Sequence, residues 1–360
     1  MTVLLPDEHQ PAAKLSRDGA RSSSDSITFS DESDRASTSS LSPLYGRGAA
    51  PSASPGVVAL YRLLVGVFGA FWLANAWFQL SAWVLRAGPA HPAPLLGVLD
   101  GAARHAPAWL RPGSLWVVHV AEAIGPQIMA IAMVMIALAL GLAMIFRRGL
   151  DVAGWGGLAY SLFCWVTLGA LGFPYTKGQT DPGVFPAYAI AFLFVLAVAP
   201  VVAPAGSAQA RPRSWAWRAG ALGFALLWVF DAVLKWSPYF LGHFVDQLKS
   251  AIPGQPGWVA TYIGWTIAVV RAVGPTPVAV TVAVAETALA FSLLSGVLVS
   301  LAIPLGFLYS LAVWTTAEGF GGPYGPGGTG IRGDVLGNVL IYALVFLFLA
   351  VGRRRAVGSR

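Results

Sequence analysis

Long apolar stretches separated by short polar ones dominate the chain after about residue 55. A helix needs about 20 apolar residues to cross the ~30 Å hydrocarbon core of a membrane, and most of these stretches reach that length. Between the sixth and seventh stretches, Pro304 and Gly306 predict a tight turn at Ser300 to Pro304. The pattern predicts an all-α polytopic membrane protein with eight transmembrane helices, near 57–84, 115–146, 153–173, 184–204, 216–240, 277–299, 301–318 and 334–352.

The first 55 residues have a different character. Ser, Asp and Arg crowd the stretch from Ser16 to Ser42, which has almost no apolar periodicity. Such a segment cannot bury enough apolar surface to offset the entropy of ordering its backbone. We therefore predict a disordered cytoplasmic tail at 1–55, followed by two membrane units at 56–206 and 207–360.

Composition narrows the class of protein. With 56% hydrophobic and 11% charged residues, the chain is too apolar for a soluble enzyme. The single cysteine, Cys164, excludes an intrachain disulfide and a CxxC redox pair. The net charge of +7 comes mainly from basic residues in short loops and tails, so it indicates membrane topology rather than nucleic-acid binding.

The positions of Lys and Arg predict the orientation. With eight spans, both termini lie on the same side as the basic residues at 147–148, 211–218 and 353–355. Cytoplasmic loops carry the excess of basic residues, so we expect both termini in the cytoplasm and the protein in the cell (inner) membrane. The loops at 86–114, 174–183, 241–275 and 319–333 then face outward.

The two halves of the membrane body resemble each other. Residues 157–175 (GLAYSLFCWVTLGALGFPY) match residues 306–324 (GFLYSLAVWTTAEGFGGPY) at nine of nineteen positions without a gap. The spacing Arg62-x5-Phe68-x3-Trp72 recurs from Arg218, and ValAlaGlu occurs at both 120–122 and 284–286. A repeat of this kind predicts a tandem duplication of a four-helix bundle, with both copies in the same orientation.

The halves differ in charge. Asp231, Lys235 and Glu318 in the second half correspond to Asn75, Gln79 and Gly169 in the first. Glu286 adds a fourth ionisable residue to the predicted spans of the second half. A charge at the centre of a bilayer costs about 2.5–3.5 kcal/mol even on permissive insertion scales. We therefore expect these four groups to converge on a site in the outer part of the second half.

Two interpretations of these residues stay open. In the functional one, Asp231 and Glu286 accept and donate protons, and Lys235 holds an oxyanion. In the structural one, Asp231 and Lys235 form a buried ion pair on one helix face, and Glu286 accepts a hydrogen bond that fixes helix packing.

A glycine-rich loop, AEGFGGPYGPGGTGIRGD, runs from Ala317 to Asp334 after the seventh predicted span. Glycine permits close backbone approach and anion-binding N–H concavities. Arg332 offers two parallel hydrogen bonds to an oxyanion. The loop therefore either contacts a ligand or serves as a flexible connection.

Two features of the chain resemble the DoxX/DoxD family. One is the first helix of each unit, with Arg62 or Arg218 near its start. The other is the loop that runs from Glu318 through GlyGlyProTyr324 to Asp334. The nearest variant is the DoxD-like subunit of thiosulfate:quinone oxidoreductase. The resemblance is best over 215–352, looser in the first half, and absent from the tail. The chain departs from the family pattern in the step from Thr329 to Asp334 and in the duplication of the unit.

This resemblance implies a membrane oxidoreductase subunit that oxidises thiosulfate or a similar small sulfur anion and passes the electrons to membrane quinone. Quinone is then the electron acceptor, and no bound metal or haem is predicted. The sequence contains no recognisable electron carrier, so a second redox subunit is an expected partner besides lipid and quinone. The expected catalytic residues are Glu286, Asp231 and Glu318, with Glu318 ordering the glycine-rich loop. The expected substrate-binding residues are Lys235, Arg332, Tyr324, Thr329 and Asp334.

Two other functions fit the same sequence. One is a non-catalytic membrane scaffold subunit of a redox complex, in which the carboxylates are structural. The other is a small-solute transporter, a class in which tandem helical repeats with charged residues near the midplane are common.

Overall fold

The computed structural model describes residues 54–88, 93–172, 180–204, 211–323 and 336–357, with side chains up to 353. Nearly all of the predicted tail lies outside these ranges. The described residues are all-helical, with no β-strand. They form α1 (Pro55–Gln79), α2 (Pro94–His105), α3 (Arg111–Ile124), α4 (Pro126–Phe146), α5 (Leu150–Thr167), α6 (Val184–Val202), α7 (Ser214–Lys235), α8 (Pro238–Ser250), α9 (Gly257–Val273), α10 (Pro275–Ser295), α11 (Val299–Thr316) and α12 (Val339–Val357).

Six helices of the described part are long and apolar enough to cross a membrane. They are α4, α6, α7, α10, α11 and α1, which continues as a π-helix to Leu85. This confirms an all-α architecture with several candidate membrane-spanning helices. The third and eighth predicted spans are also helices, α5 and α12, but they are not among the six.

The turn between α10 and α11 lies at residues 296–298, so the turn predicted at Ser300 to Pro304 on the basis of Pro304 and Gly306 is wrong. Gly296 ends α10 in the left-handed conformation, with φ 78°, which glycine adopts without steric cost. Pro304 lies inside α11, as is tolerated in membrane helices whose neighbours compensate the lost backbone hydrogen bond. At Gly306 the ring of Phe346 occupies the space that a side chain would take.

Two of the predicted loops contain regular structure. The stretch 86–114 includes α2, and 241–275 includes most of α8 and all of α9. The span predicted at 115–146 is interrupted at Gly125 (φ 94°), which joins α3 to α4. Gly274 (φ 110°) joins α9 to α10 in the same manner.

The helices pack in similar pairs in the two halves. α1 lies along α4 and α7 along α10, while α5 packs with α6 and α11 with α12. α6 also contacts α7, and α12 also contacts α1 and α6. Nearly every residue of α6 is buried, so this helix lies at the centre of the core.

Aromatic rings fill equivalent positions of both halves. Two ring clusters surround the tryptophans that the repeat aligns. Each also includes a phenylalanine whose ring lies on a glycine of the neighbouring helix. One cluster contains Phe68, Trp72, Tyr188 and Phe192 over Gly157, and the other contains Phe224, Trp228, Tyr342 and Phe346 over Gly306.

The two ValAlaGlu motifs are not structurally equivalent. Glu122 is exposed on α3, whereas Glu286 is buried on α10. α4 and α10 both have 21 residues and begin at a proline after a glycine of positive φ, and six of the seven positions that α4 buries are also buried in α10. The residue of α4 that corresponds to Glu286 is therefore Ala137.

Candidate functional site

Asp231, Lys235 and Glu286 lie together between the paired helices α7 and α10. Asp231 and Glu286 are almost fully buried, at 3% and 4% exposure of the residue. Lys235 Nζ lies 3.4 Å from Glu286 Oε2. The buried ion pair therefore joins two helices and does not follow the predicted pairing of Lys235 with Asp231 along α7.

Glu286 also accepts a hydrogen bond from α11, since the Tyr309 hydroxyl donates to Glu286 Oε1 over 2.7 Å. This is the kind of hydrogen bond that the structural interpretation predicts for Glu286. The sequence repeat aligns residues 306–316 of α11 with residues 157–167 of α5. The tyrosine of α5 that corresponds to Tyr309 is Tyr160, which donates to the backbone oxygen of Met133 instead. The tyrosine is thus common to both halves, and the carboxylate partner belongs to the second half alone.

Residues of the first half complete the charged site. Lys235 Nζ donates to the backbone oxygen of Thr180 over 2.6 Å. Asp181 Oδ1 accepts hydrogen bonds from the Gly183 backbone N–H at 2.7 Å and from Asn338 Nδ2 at 3.0 Å. The segment before α6 and the start of α12 are therefore tied together beside the Lys235 ammonium.

Asp231 differs from Lys235 and Glu286 in belonging to no ion pair among the described residues. Its carboxyl is close enough to Lys235, Glu286 and Asp181 for their charges to act on it. The Tyr342 hydroxyl lies near enough to act on this carboxyl as a hydrogen-bond donor, whereas Asp231 Oδ1 and Trp228 Nε1 have no partner among the described residues. A buried polar atom without a partner costs about 1–3 kcal/mol, and the equivalent Trp72 Nε1 and Asn75 Oδ1 of α1 also lack one in the described part of the chain, so this cost is common to the two halves.

The charges of the group do not balance. Glu286 neutralises Lys235 through their ion pair, which leaves the Asp231 carboxyl without a positive partner of its own. A buried carboxylate without a counter-charge is unfavourable, and a carboxyl group avoids that cost by holding a proton. The arrangement is therefore chemically suited to proton exchange, whereas an anion bound here would add to the excess negative charge.

Glu318, which follows α11 in the chain, contacts the first residues of α12 and is not part of the charged group. Its Oε1 accepts from the Asn338 backbone N–H at 3.0 Å, and its Oε2 accepts from the Val339 N–H at 3.2 Å. A carboxylate at this place satisfies N–H groups that a helix start leaves unpaired. Trp314 Nε1 donates to the Leu336 backbone oxygen at 2.7 Å, so both side chains hold the segment where the glycine-rich loop ends.

The predicted substrate-binding residues divide into two groups. Lys235 lies in the charged site, with its ammonium already bound to Glu286 and Thr180. The other four lie outside the described residues, and their roles stay predictions. They are Tyr324, Thr329, Arg332 and Asp334.

Five residues of the site were not predicted. Tyr309 belongs to the repeat and could have been found by asking which repeated polar groups face the unrepeated charges. The others come from the first half, from the residue just before α12 or from α12 itself, and no local sequence signal connects them with α7. The missed residues are Thr180, Asp181, Tyr309, Asn338 and Tyr342.

Comparisons of the chain with protein-family models, with curated proteins and with solved structures give no match.

Proposed function

We propose that the chain crosses the cell (inner) membrane eight times, as two four-helix units in tandem with both termini in the cytoplasm. The similar pairing of helices, the equivalent ring clusters and the equivalent glycine breaks before α4 and α10 support the duplication. The two spans beyond the six long apolar helices are then α5 and α12.

We further propose that the protein is a membrane oxidoreductase subunit that exchanges protons at Asp231 while membrane quinone is reduced. A quinone takes up two electrons and two protons to become a quinol, so its site needs a proton donor as well as an electron source. The observation that carries the proposal is the buried, unbalanced Asp231 carboxyl beside the Lys235–Glu286 pair. Glu286 is the second proton-handling group, and Tyr309 orients it.

Thiosulfate or a similar small sulfur anion remains the proposed reductant, on the strength of the family resemblance. The neutralised Lys235 is a weak anion ligand by itself. Arg332 and the glycine-rich loop are accordingly the proposed anion contacts, with electrons entering directly or through a second redox subunit.

Turnover of a soluble quinone tests this proposal. The purified protein in liposomes, with and without membrane extract, receives thiosulfate and decyl-quinone, and quinol formation is followed by absorbance. We expect Asp231→Asn and Glu286→Gln to lower turnover at least tenfold. The matched control is Asn75→Leu, at the equivalent neutral position of α1, which should retain it.

A scaffold function is the second candidate, because the contacts of the site tie different helices together. Three contacts connect α7, α10, α11, the start of α12 and the segment before α6. They are Lys235–Glu286, Tyr309–Glu286 and Asp181–Asn338. A folded protein without turnover under any condition, whose variants change only thermal stability or assembly, would establish the scaffold function and reject the oxidoreductase.

A further inference from the structure

Helix α9 has two apolar faces, of which the protein covers only one. The covered face carries Val259, Ile263, Ile267 and Val270, and it packs on Leu248 of α8. The opposite face carries residues that are 63–69% exposed, and they recur over four turns of the helix. They are Trp258, Trp265, Val269 and Val273.

Apart from Arg271, which is exposed in the last turn, the polar side chains of α9 are already hydrogen-bonded. The Thr261 hydroxyl donates to the Gly257 backbone oxygen at 2.8 Å, within the helix itself. The Thr266 hydroxyl donates in the same way to Tyr262. From Trp258 to Val269 the exposed face therefore offers only apolar surface and hydroxyl groups that are already bonded.

The neighbouring helix α8 is different. Its exposed side carries Asp246 and Lys249, whose charged groups are 2.9 Å apart. The hydrogen bond from Lys249 lowers the pKa of Asp246 below its usual value. One helix of this α8–α9 hairpin thus has a surface suited to water, and the other does not.

The position of α9 indicates what covers its free face. Gly274 alone separates α9 from α10, a candidate span whose own surface exposes Val284 and Phe291. The apolar surface of a membrane span faces lipid tails, and the free face of α9 continues that surface. Tryptophan is enriched where such surfaces meet the membrane boundary.

We propose that α9 is embedded in the membrane boundary and that its face from Trp258 to Val273 binds the lipid bilayer, in a stretch where the sequence predicts an outward-facing loop. The covered face of α9 packs against Phe320, and Gln255, just before α9, donates to the Gly319 backbone oxygen. We therefore expect lipid contact on the exposed face of α9 to stabilise the turn next to Glu318, which packs on the covered face. This inference does not depend on the oxidoreductase proposal.

Site-directed spin labelling tests the lipid contact, and the chain is well suited to it because Cys164 is its only cysteine. In a Cys164→Ala background reconstituted in phosphatidylcholine–phosphatidylglycerol vesicles, single cysteines replace Trp265 or Val269 and receive a nitroxide. Power saturation compares collisions with oxygen, which dissolves in lipid, and with a water-soluble nickel chelate. Matched controls carry the label at Asp246 on the polar side of α8 and at Ile263 on the buried face of α9.

We expect the Trp265 and Val269 positions to favour oxygen over nickel at least threefold, the Asp246 position to favour nickel, and the Ile263 position to be shielded from both. Nickel access at Trp265 and Val269 would place α9 in water and overturn the proposal. Shielding from both reagents there would also overturn it, because a second copy of the chain would then cover the face.

Discussion

α1 and α4 place neutral side chains where α7 and α10 place charged ones. Asn75, Gln79 and Ala137 occupy the positions of Asp231, Lys235 and Glu286. Both helix pairs nevertheless bury these positions and surround them with the same type of ring cluster. The buried positions and ring clusters are common to the two halves and belong to the helix packing. The charged residues occur at these positions in the second half alone.

The neutral half shows that this packing does not need ions. Asn75 Nδ2 donates to the Tyr188 hydroxyl at 3.0 Å, which joins α1 to α6 without a charge. Buried ion pairs are often no more stabilising than well-packed neutral groups of similar volume. The neutral half therefore supports the proposed chemical role of the charges on α7 and α10.

The largest expected effect comes from removing one member of the ion pair. Glu286→Ala should destabilise the protein by about 3–5 kcal/mol, because it leaves the Lys235 ammonium buried without its partner. Reversible unfolding in mixed detergent micelles measures the loss. Adding Lys235→Gln, the residue type of the first half, should recover at least about 2 kcal/mol of it. A double variant no more stable than Glu286→Ala would contradict the role of the unpaired charge.

The glycines under the phenylalanine rings test the common packing. Gly157→Ala and Gly306→Ala should each cost about 1–3 kcal/mol, because the added methyl group meets the ring of Phe192 or Phe346. Similar losses in the same unfolding assay would support equivalent packing in the two halves. A loss at one glycine with none at the other would argue against it.

The tyrosines that the repeat aligns should differ in effect. Tyr309→Phe removes a hydrogen bond to a carboxylate and should cost about 1.5–3 kcal/mol. Tyr160→Phe removes a longer bond to a backbone oxygen, 3.4 Å against 2.7 Å, and should cost about 0.5–1.5 kcal/mol. Thermal unfolding of the two variants side by side measures the difference; equal losses would mean that the Glu286 contact adds nothing.

The smallest effect on stability is expected at Asp231. Asp231→Asn keeps the shape of the side chain and restores the residue type of Asn75, so it should change the free energy of unfolding by less than about 1 kcal/mol. The same variant should lose quinone turnover, which distinguishes a functional carboxyl from a structural one. A loss of stability comparable to that of Glu286→Ala, with turnover intact, would reverse the assignment.

Much of the fold follows from local properties of the chain. Apolar stretches of about 20 residues dictate membrane-spanning helices, because lipid cannot satisfy the backbone polar groups of other structures. Charged residues are so scarce in these stretches that Asp231, Lys235 and Glu286 stand out as candidates from the sequence alone. The turn predicted from Pro304 was wrong, because whether a proline ends a helix depends here on the helices packed against α11 and not on the local sequence.

The sequence by itself determined the all-α class, the long apolar helices that are candidates to span a membrane, and the charged residues of the second half. Only the tertiary structure decided that Lys235 pairs with Glu286, that Thr180 and Asp181 of the first half close the site, and that α9 is a helix with an uncovered apolar face. The physical reason is distance along the chain. Helix formation and membrane insertion depend on neighbouring residues, whereas these contacts join groups that approach only when separate helices pack together.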